Sequence, residues 1–260
     1  MADREGWETM SLDGQQVGIK TSVIEEKCQA FETLVIYCST LGAKFAPYLS
    51  QSLELVLPSL RFYFHEGVRE ACALYGRSCH FMDPIITFPP FFHRVLPMLM
   101  ACGKQSSTLT SEMFSAVFAQ LISVTSAETD SSFLASLFKC FADCVRVTGG
   151  PEALLPEFHE GIMNATQHQL QTLAEKRKAR ALRYPSLPQA GCGSENRDDI
   201  EDEKEDMALL EELEDFALDE MAKMLRCFDS SHPLLVAVGS VKDLGIRSYD
   251  WDSEEEGSIG

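Results

Sequence analysis

Basic residues are scarce in this chain. Its 260 residues hold 22 Lys and Arg against 40 Asp and Glu, for a net charge of −18 and a pI near 4.7. A field of that sign repels phosphate, so nucleic acid and anionic membrane are excluded as partners of the surface as a whole, and Lys/Arg-rich protein segments are favoured. Apolar runs of the length a membrane helix needs, about 18 residues, are also lacking, and no membrane insertion is expected. No CxxC pair occurs among the nine cysteines (Cys28, Cys38, Cys72, Cys79, Cys102, Cys140, Cys144, Cys192 and Cys227), and no secretory leader precedes them. They are expected to be reduced core thiols of a cytosolic or nuclear protein.

Reactive motifs are missing too. There is no GxSxG and no Gly-rich phosphate loop, which removes the usual contexts for nucleophilic and phosphoryl-transfer chemistry. Cys140 and Cys144 stand one helical turn apart, and Cys79-His80 with His93 flank a proline-rich stretch, but neither set completes four metal ligands. These read as buried thiols and incidental residues. His65 falls at a hairpin turn and His232 at a helix start, where polar caps are ordinary. Carboxylate pairs abound, but a pair without a shaped, partly dry pocket is a solvated face rather than an acid/base couple. No enzyme activity, metal or cofactor is expected.

What the chain does have is helical periodicity arranged in pairs. From Phe45 to Leu74, Leu49, Leu53, Val56, Leu57, Leu60 and Phe64 recur at steps of three and four on a helix opening at Pro47. His65-Glu66-Gly67 breaks it, and Val68, Ala71, Cys72 and Leu74 resume in a second helix. Such a hairpin cannot bury its own apolar stripe and needs another hairpin on each side, the physics of an α-solenoid. Glu66-Gly67, Val68-Arg69 and Glu70-Ala71-Cys72, after a helix containing Pro58, resemble a HEAT repeat. That resemblance implies a Val in the hairpin core and an Arg paired with acidic groups of neighbouring repeats.

Residues 1–20 are polar and carry Asp13-Gly14, and a loop is expected there. Thr21-Ser22 with Glu25 forms a capping box, and Ile24, Phe31, Val35, Cys38 and Leu41 line one helix face up to Gly42, the second half of a repeat. Between Tyr75 and Val95 three prolines and five aromatics destroy any period. Deleting the stretch brings Leu96-Pro97-Met98-Leu99-Met100 into phase with Val68, so it reads as an insertion in one helix, such as translated non-coding sequence. The competing reading is an aromatic, proline-rich lid that binds a partner.

Ser111 opens a helix with Phe114, Val117, Phe118, Leu121 and Ile122 apolar; Asp130 caps its mate, with Phe133, Leu134, Leu137, Phe138, Phe141 and Val145, which Gly149-Gly150-Pro151 ends. A third pair begins near Pro156 with Phe158, Ile162, Ala165, Gln169, Leu170 and Leu173 inward, and its basic run from Lys176 to Arg180 reads as a solvated helix end. After a Pro/Gly/Ser linker at 183–194, the stretch from Glu195 to Glu220 holds fourteen acidic and two basic residues, net −12. Its first part is expected to be disordered or a frayed helix start, and from Met207 a stripe of Leu210, Leu213, Ala217, Met221, Met224, Leu225 and Phe228 is expected to face inward. Ser231-His232-Pro233 starts a last short helix before an acidic tail. The acidic run is either a solubilising loop or a steering surface for basic partners whose pull weakens with salt.

Residues 18–49, 52–74, 130–150 and 209–228 together resemble the karyopherin-β nuclear transport receptors, of the importin beta-3 branch found in fungi. The resemblance implies an all-α fold, an α-solenoid superhelix of antiparallel HEAT pairs. It implies binding of basic nuclear-localisation segments of cargo and Ran-GTP on the inner surface and of Phe-Gly nucleoporins on the outer helices, with shuttling between cytoplasm and nucleus through the pore. Members are several-fold longer, so the chain is expected to be a piece of their C-terminal half: loop 1–20, half repeat 21–42, repeat 43–110 interrupted by the insertion 75–95, repeat 111–150, repeat 151–228 with an acidic loop 183–206, partial repeat 229–247, and disordered tail 248–260. The acidic segment resembles an intra-repeat acidic loop, which makes Asp198, Asp199, Glu201, Asp202, Glu203, Glu205 and Asp206 candidate protein contacts. The alternative is a HEAT scaffold of another kind, phosphatase-type or tubulin-binding.

Overall fold

A computed structural model describes residues 7–12, 15–63, 92–183 and 197–245. Two strands open it. β1 (Trp7–Leu12) pairs antiparallel with β2 (Gln15–Lys20), from Trp7 opposite Lys20 to Leu12 opposite Gln15. The expected loop at 1–20 is therefore corrected to a hairpin over these residues. Asp13-Gly14 stands between two runs of alternating character, which is the strongest short-range hairpin signal.

Eight helices follow among the described residues: α1 (Thr21–Leu41), α2 (Leu49–Tyr63), α3 (Phe92–Gln105), α4 (Ser111–Ala127), α5 (Ser131–Thr148), α6 (Pro156–Arg183), α7 (Arg197–Phe228) and α8 (Leu234–Lys242). They divide into two compact units, Met1–Val124 with Cys140–Leu155, and Thr125–Lys139 with Pro156–Gly260.

In the first unit Gly42, at φ +52°, stops α1, and a 3-10 segment Gly42–Tyr48 turns the chain into α2. Pro47 thus lies in the 3-10 segment and α2 opens at Leu49. The expected stripe is buried at Leu49, Leu53, Val56 and Leu60. α3 packs on α1, α2 and the 3-10 segment, burying Val95, Leu96, Leu99, Met100 and Cys102. Its helix already includes Phe92–Val95, so the insertion as drawn to Val95 ends too late; the rest of it, with the HEAT-like residues 66–72, lies outside the described residues. Close approach at α3 depends on Gly103, where a Cβ would stand 2.6 Å from Leu49 Cδ2 and 3.0 Å from Leu109 Cβ.

The start and stop signals of α4 and α5 act as their chemistry dictates. Thr110 Oγ1 accepts the Met113 N–H at 3.2 Å and Asp130 Oδ1 accepts that of Phe133 at 2.9 Å. Gly149 and Gly150, at φ +110° and +103°, end α5, with the Gly150 N–H returning to Val145 O at 2.9 Å. Phe118 and Phe141, both fully buried, bring their ring centroids to 6.5 Å. Lys104 Nζ donates to the Val147 carbonyl at 2.8 Å near that helix end.

Cys38, Cys102, Cys140, Cys144 and Cys227 are free thiols. Burial, and then the neighbouring Cys102, push the Cys38 thiol from 9.0 up to about 12. Burial and then Cys140, whose Sγ lies 4.0 Å away, raise Cys144 well above the ordinary range. Since the thiolate is the nucleophile, a thiol at about 12 rather than 9 is about a thousandfold less ionised at pH 8. Iodoacetamide at pH 8 is expected to alkylate the half-buried Cys227 at least about tenfold faster than Cys38 or Cys144, read by site-resolved mass spectrometry. Equal rates would show that these thiols are not held in a closed core.

Candidate protein-binding surface

In the second unit α6 buries Phe158, Ile162, Ala165, Gln169, Leu170 and Leu173, as its spacing dictates. Gln169 Nε2 donates to the carbonyls of Thr125 at 2.6 Å and Glu128 at 2.9 Å, and Lys176 Nζ to Thr129 O at 2.8 Å, so α6 caps the end of α4. α7 and α8 pack on α6 and on each other.

The basic run on α6 is not a solvated end. The Arg177 side chain is only 1% exposed, and its guanidinium donates Nε to Glu214 Oε2 at 3.0 Å, Nη2 to Asp215 Oδ1 at 2.8 Å and to Glu211 O at 3.3 Å, and Nη1 to the Val241 and Lys242 carbonyls at 3.4 and 3.2 Å. The last two are at the negative end of α8, where a cation is favoured. Arg180 grips Glu214 with two bonds, 3.0 and 2.6 Å. Those bonds and the Glu214 charge hold the Arg180 guanidinium above its ordinary value.

This pairing rotates α7 away from the expected register. Met207, Glu211, Glu214 and Leu218 face inward, while Leu210 is 51% exposed. The inward positions of Ala217, Met221, Met224 and Leu225 hold as read. Leu209 and Phe216, 42% and 49% exposed, stand on the solvent face with Glu212 and Asp219. Asp219 Oδ1 accepts from Lys242 Nζ at 2.6 Å.

The seven candidate carboxylates, Asp198, Asp199, Glu201, Asp202, Glu203, Glu205 and Asp206, all lie in the first ten residues of α7. The acidic loop 183–206 is thus corrected: α6 runs to Arg183, residues 197–206 are helical, and 184–196 lie outside the described residues. Asp206 is exposed. By helical register Asp198, Asp202 and Glu205 share the line that continues through Leu209, Glu212 and Phe216. Four of the fourteen acidic residues, Glu211, Glu214, Asp215 and Asp219, are instead engaged with α6 or α8 or turned inward.

Elsewhere, a cavity of about 370 Å³ lined by Gly103, Lys104, Ser107, Leu109, Phe114, Thr148 and Ala153 offers one cation, already bonded to a carbonyl. Among the described residues no group of three or more His, Cys, Asp and Glu is placed to hold a metal, and no helix is long and apolar enough to cross a membrane. What the geometry supplies is surface for another chain.

Antiparallel helix pairs, each completing its core against the next, define the class: apart from the N-terminal hairpin this is an all-α HEAT-repeat solenoid. Solved structures carry the same fold. The chain is similar to Kap121p bound to Ste12p (18% identity, 93% of this chain and 19% of that one, TM-score 0.61), to Kap121p bound to Nup53p (19%, 96% and 19%, 0.59) and to Kap121p bound to RanGTP (18%, 98% and 22%, 0.55). Residues 133–232 match the family described as Importin repeat 6. Over 68 residues, 26% of the chain and 6% of the relative, it is 41% identical to importin subunit beta-3 of Saccharomyces cerevisiae. The chain belongs to the karyopherin-β family, and it spans about a fifth of the solved chains it matches.

Proposed function

We propose that this chain is a working segment of a nuclear transport receptor, which acts by binding and release without catalysis. The reading is supported by the family, by the solved relatives that hold Ste12p, Nup53p and RanGTP, and above all by the acidic start of α7. In this reading Asp198, Asp199, Glu201, Asp202, Glu203, Glu205 and Asp206 attract basic nuclear-localisation segments of cargo; Ran-GTP releases cargo, Phe-Gly nucleoporins pass the complex through the pore, and the protein shuttles between cytoplasm and nucleus. A net −12 within 26 residues steers basic partners over a Debye length and speeds encounter more than it fixes identity.

The test is a pull-down by the immobilised chain with a fluorescent Lys/Arg-rich peptide at 50 and 300 mM salt, and with Ran-GTP and Ran-GDP. Peptide recovery that falls with salt, and Ran-GTP recovered over Ran-GDP, are the expected results. Equal recovery of both Ran forms favours a scaffold of another kind, and no salt-sensitive peptide capture removes the acidic start of α7 as a site.

A further inference from the structure

The solvent face of α7 carries a feature that charge steering does not use. Leu209 and Phe216 stand about half exposed on a helix that otherwise points carboxylates outward, and no described element covers them. They are seven residues apart, two turns and about 10 Å along the axis. Upstream, on the same register line, come Asp198, Asp202 and Glu205. Large apolar side chains exposed at an i, i+7 spacing are what a helix presents when another chain lies along it.

The geometry points to a composite docking strip along α7, from Asp198 to Phe216, for a protein segment in which a cluster of Lys/Arg is followed by two apolar side chains about 10 Å apart. The carboxylates receive the basic cluster and Leu209 and Phe216 receive the apolar pair. Charge decides the occupant. A second copy of this chain would oppose one acidic strip with another and repel it, and an anionic lipid surface is repelled likewise, whereas a basic segment neutralises the strip while covering Leu209 and Phe216. The strip also has a fixed backing, because Arg177 holds Glu211, Glu214 and Asp215 on or beside the opposite face and so sets which residues point outward. Charge supplies the encounter; the apolar pair supplies residence time and selects among basic segments.

This inference rests on the proposal that the acidic start of α7 receives basic segments, and three fluorescent 18-residue probes separate the two. One carries five Lys followed by Leu and Phe spaced seven apart, one has both apolar residues replaced by Ser, and one has the five Lys replaced by Glu. The full chain is expected to bind the first at least about tenfold more tightly than the second, and the third not at all. Leu209→Ser with Phe216→Ser should bring the first probe down to the affinity of the second while leaving the second unchanged. Both residues are exposed, so the double variant should keep its circular dichroism and melting temperature, which are measured alongside. If neither basic probe binds, the steering proposal fails and takes this one with it. If both bind equally and the double variant changes nothing, the composite strip alone is wrong. Sedimentation showing a dimer that the double variant abolishes would assign the strip to a second copy and overturn the proposal.

Discussion

Arg177→Met is expected to destabilise the second unit by about 3–5 kcal/mol, the cost of breaking a buried pair from one side. The size follows from where the charges sit. The side chains of Arg177 and Glu214 are 1% and 3% exposed, so water cannot take over the bonds that the guanidinium leaves. Glu214 keeps Arg180, but Asp215 and the Val241 and Lys242 carbonyls lose a donor. The carbonyl loss gives the variant a local signature: hydrogen exchange should accelerate most in α8, which α6 anchors through those two bonds. Chemical denaturation followed by circular dichroism measures the global cost. Arg177→Lys should recover little, because an ammonium cannot reach five acceptors arranged around a planar fork. Adding Glu214→Leu to Arg177→Met should restore part of the loss by removing the stranded carboxylate. A change below about 1 kcal/mol would mean that the guanidinium is solvated after all. The pH dependence has a fixed sign. Glu214 raises the folded-state pKa of Arg180, so its contribution is complete below the unfolded-state value and is lost only in strong alkali, leaving the neutral range flat.

That same network marks where the sequence stopped being readable. The ends of α4 and α5 were legible because Asp130, Gly149 and Gly150 act on their own backbone neighbours, and the stripes of α2 and α6 because their buried faces are mostly apolar. α7 was not, because its core face contains Glu211 and Glu214, and a rule that turns apolar residues inward placed Leu210 there instead. The signal was in the phase rather than the polarity. Arg177 lies four residues after Leu173 and eight after Gln169, in step with the buried face of α6, and Glu211 and Glu214 keep step with Met207, Leu218 and Met221. Two in-phase charges of opposite sign on consecutive helices are a core ion pair written in sequence. The candidate carboxylates were legible as a charge run, but their helical placement was not, since a stretch so acidic has weak intrinsic reason to fold until α6 and α8 hold its C-terminal half. Leu209 and Phe216 were hidden for the converse reason: an apolar residue on a helix reads as core until the neighbours are placed.

The first unit offers the other large effect. Phe118→Ala is expected to cost about 3–5 kcal/mol, the range for deleting a fully buried aromatic that leaves a cavity. Phe118 is 0% exposed and sits between Phe114 at 4.7 Å and Phe141 at 6.5 Å, centroid to centroid, so the void opens in the middle of an aromatic row. Phe141→Ala alone should cost a similar amount, and the double variant less than the sum, with a coupling of about 0.5–1.5 kcal/mol from the ring contact. Phe216→Ala is the control of equal chemistry at an exposed position, where a change within about 0.5 kcal/mol is expected. Denaturation curves of the four variants decide the matter, with exchange rates in α4 and α5 locating the damage. If Phe216→Ala proved as costly as Phe118→Ala, α7 would be turned the other way, and the strip assigned to partners would belong to the core.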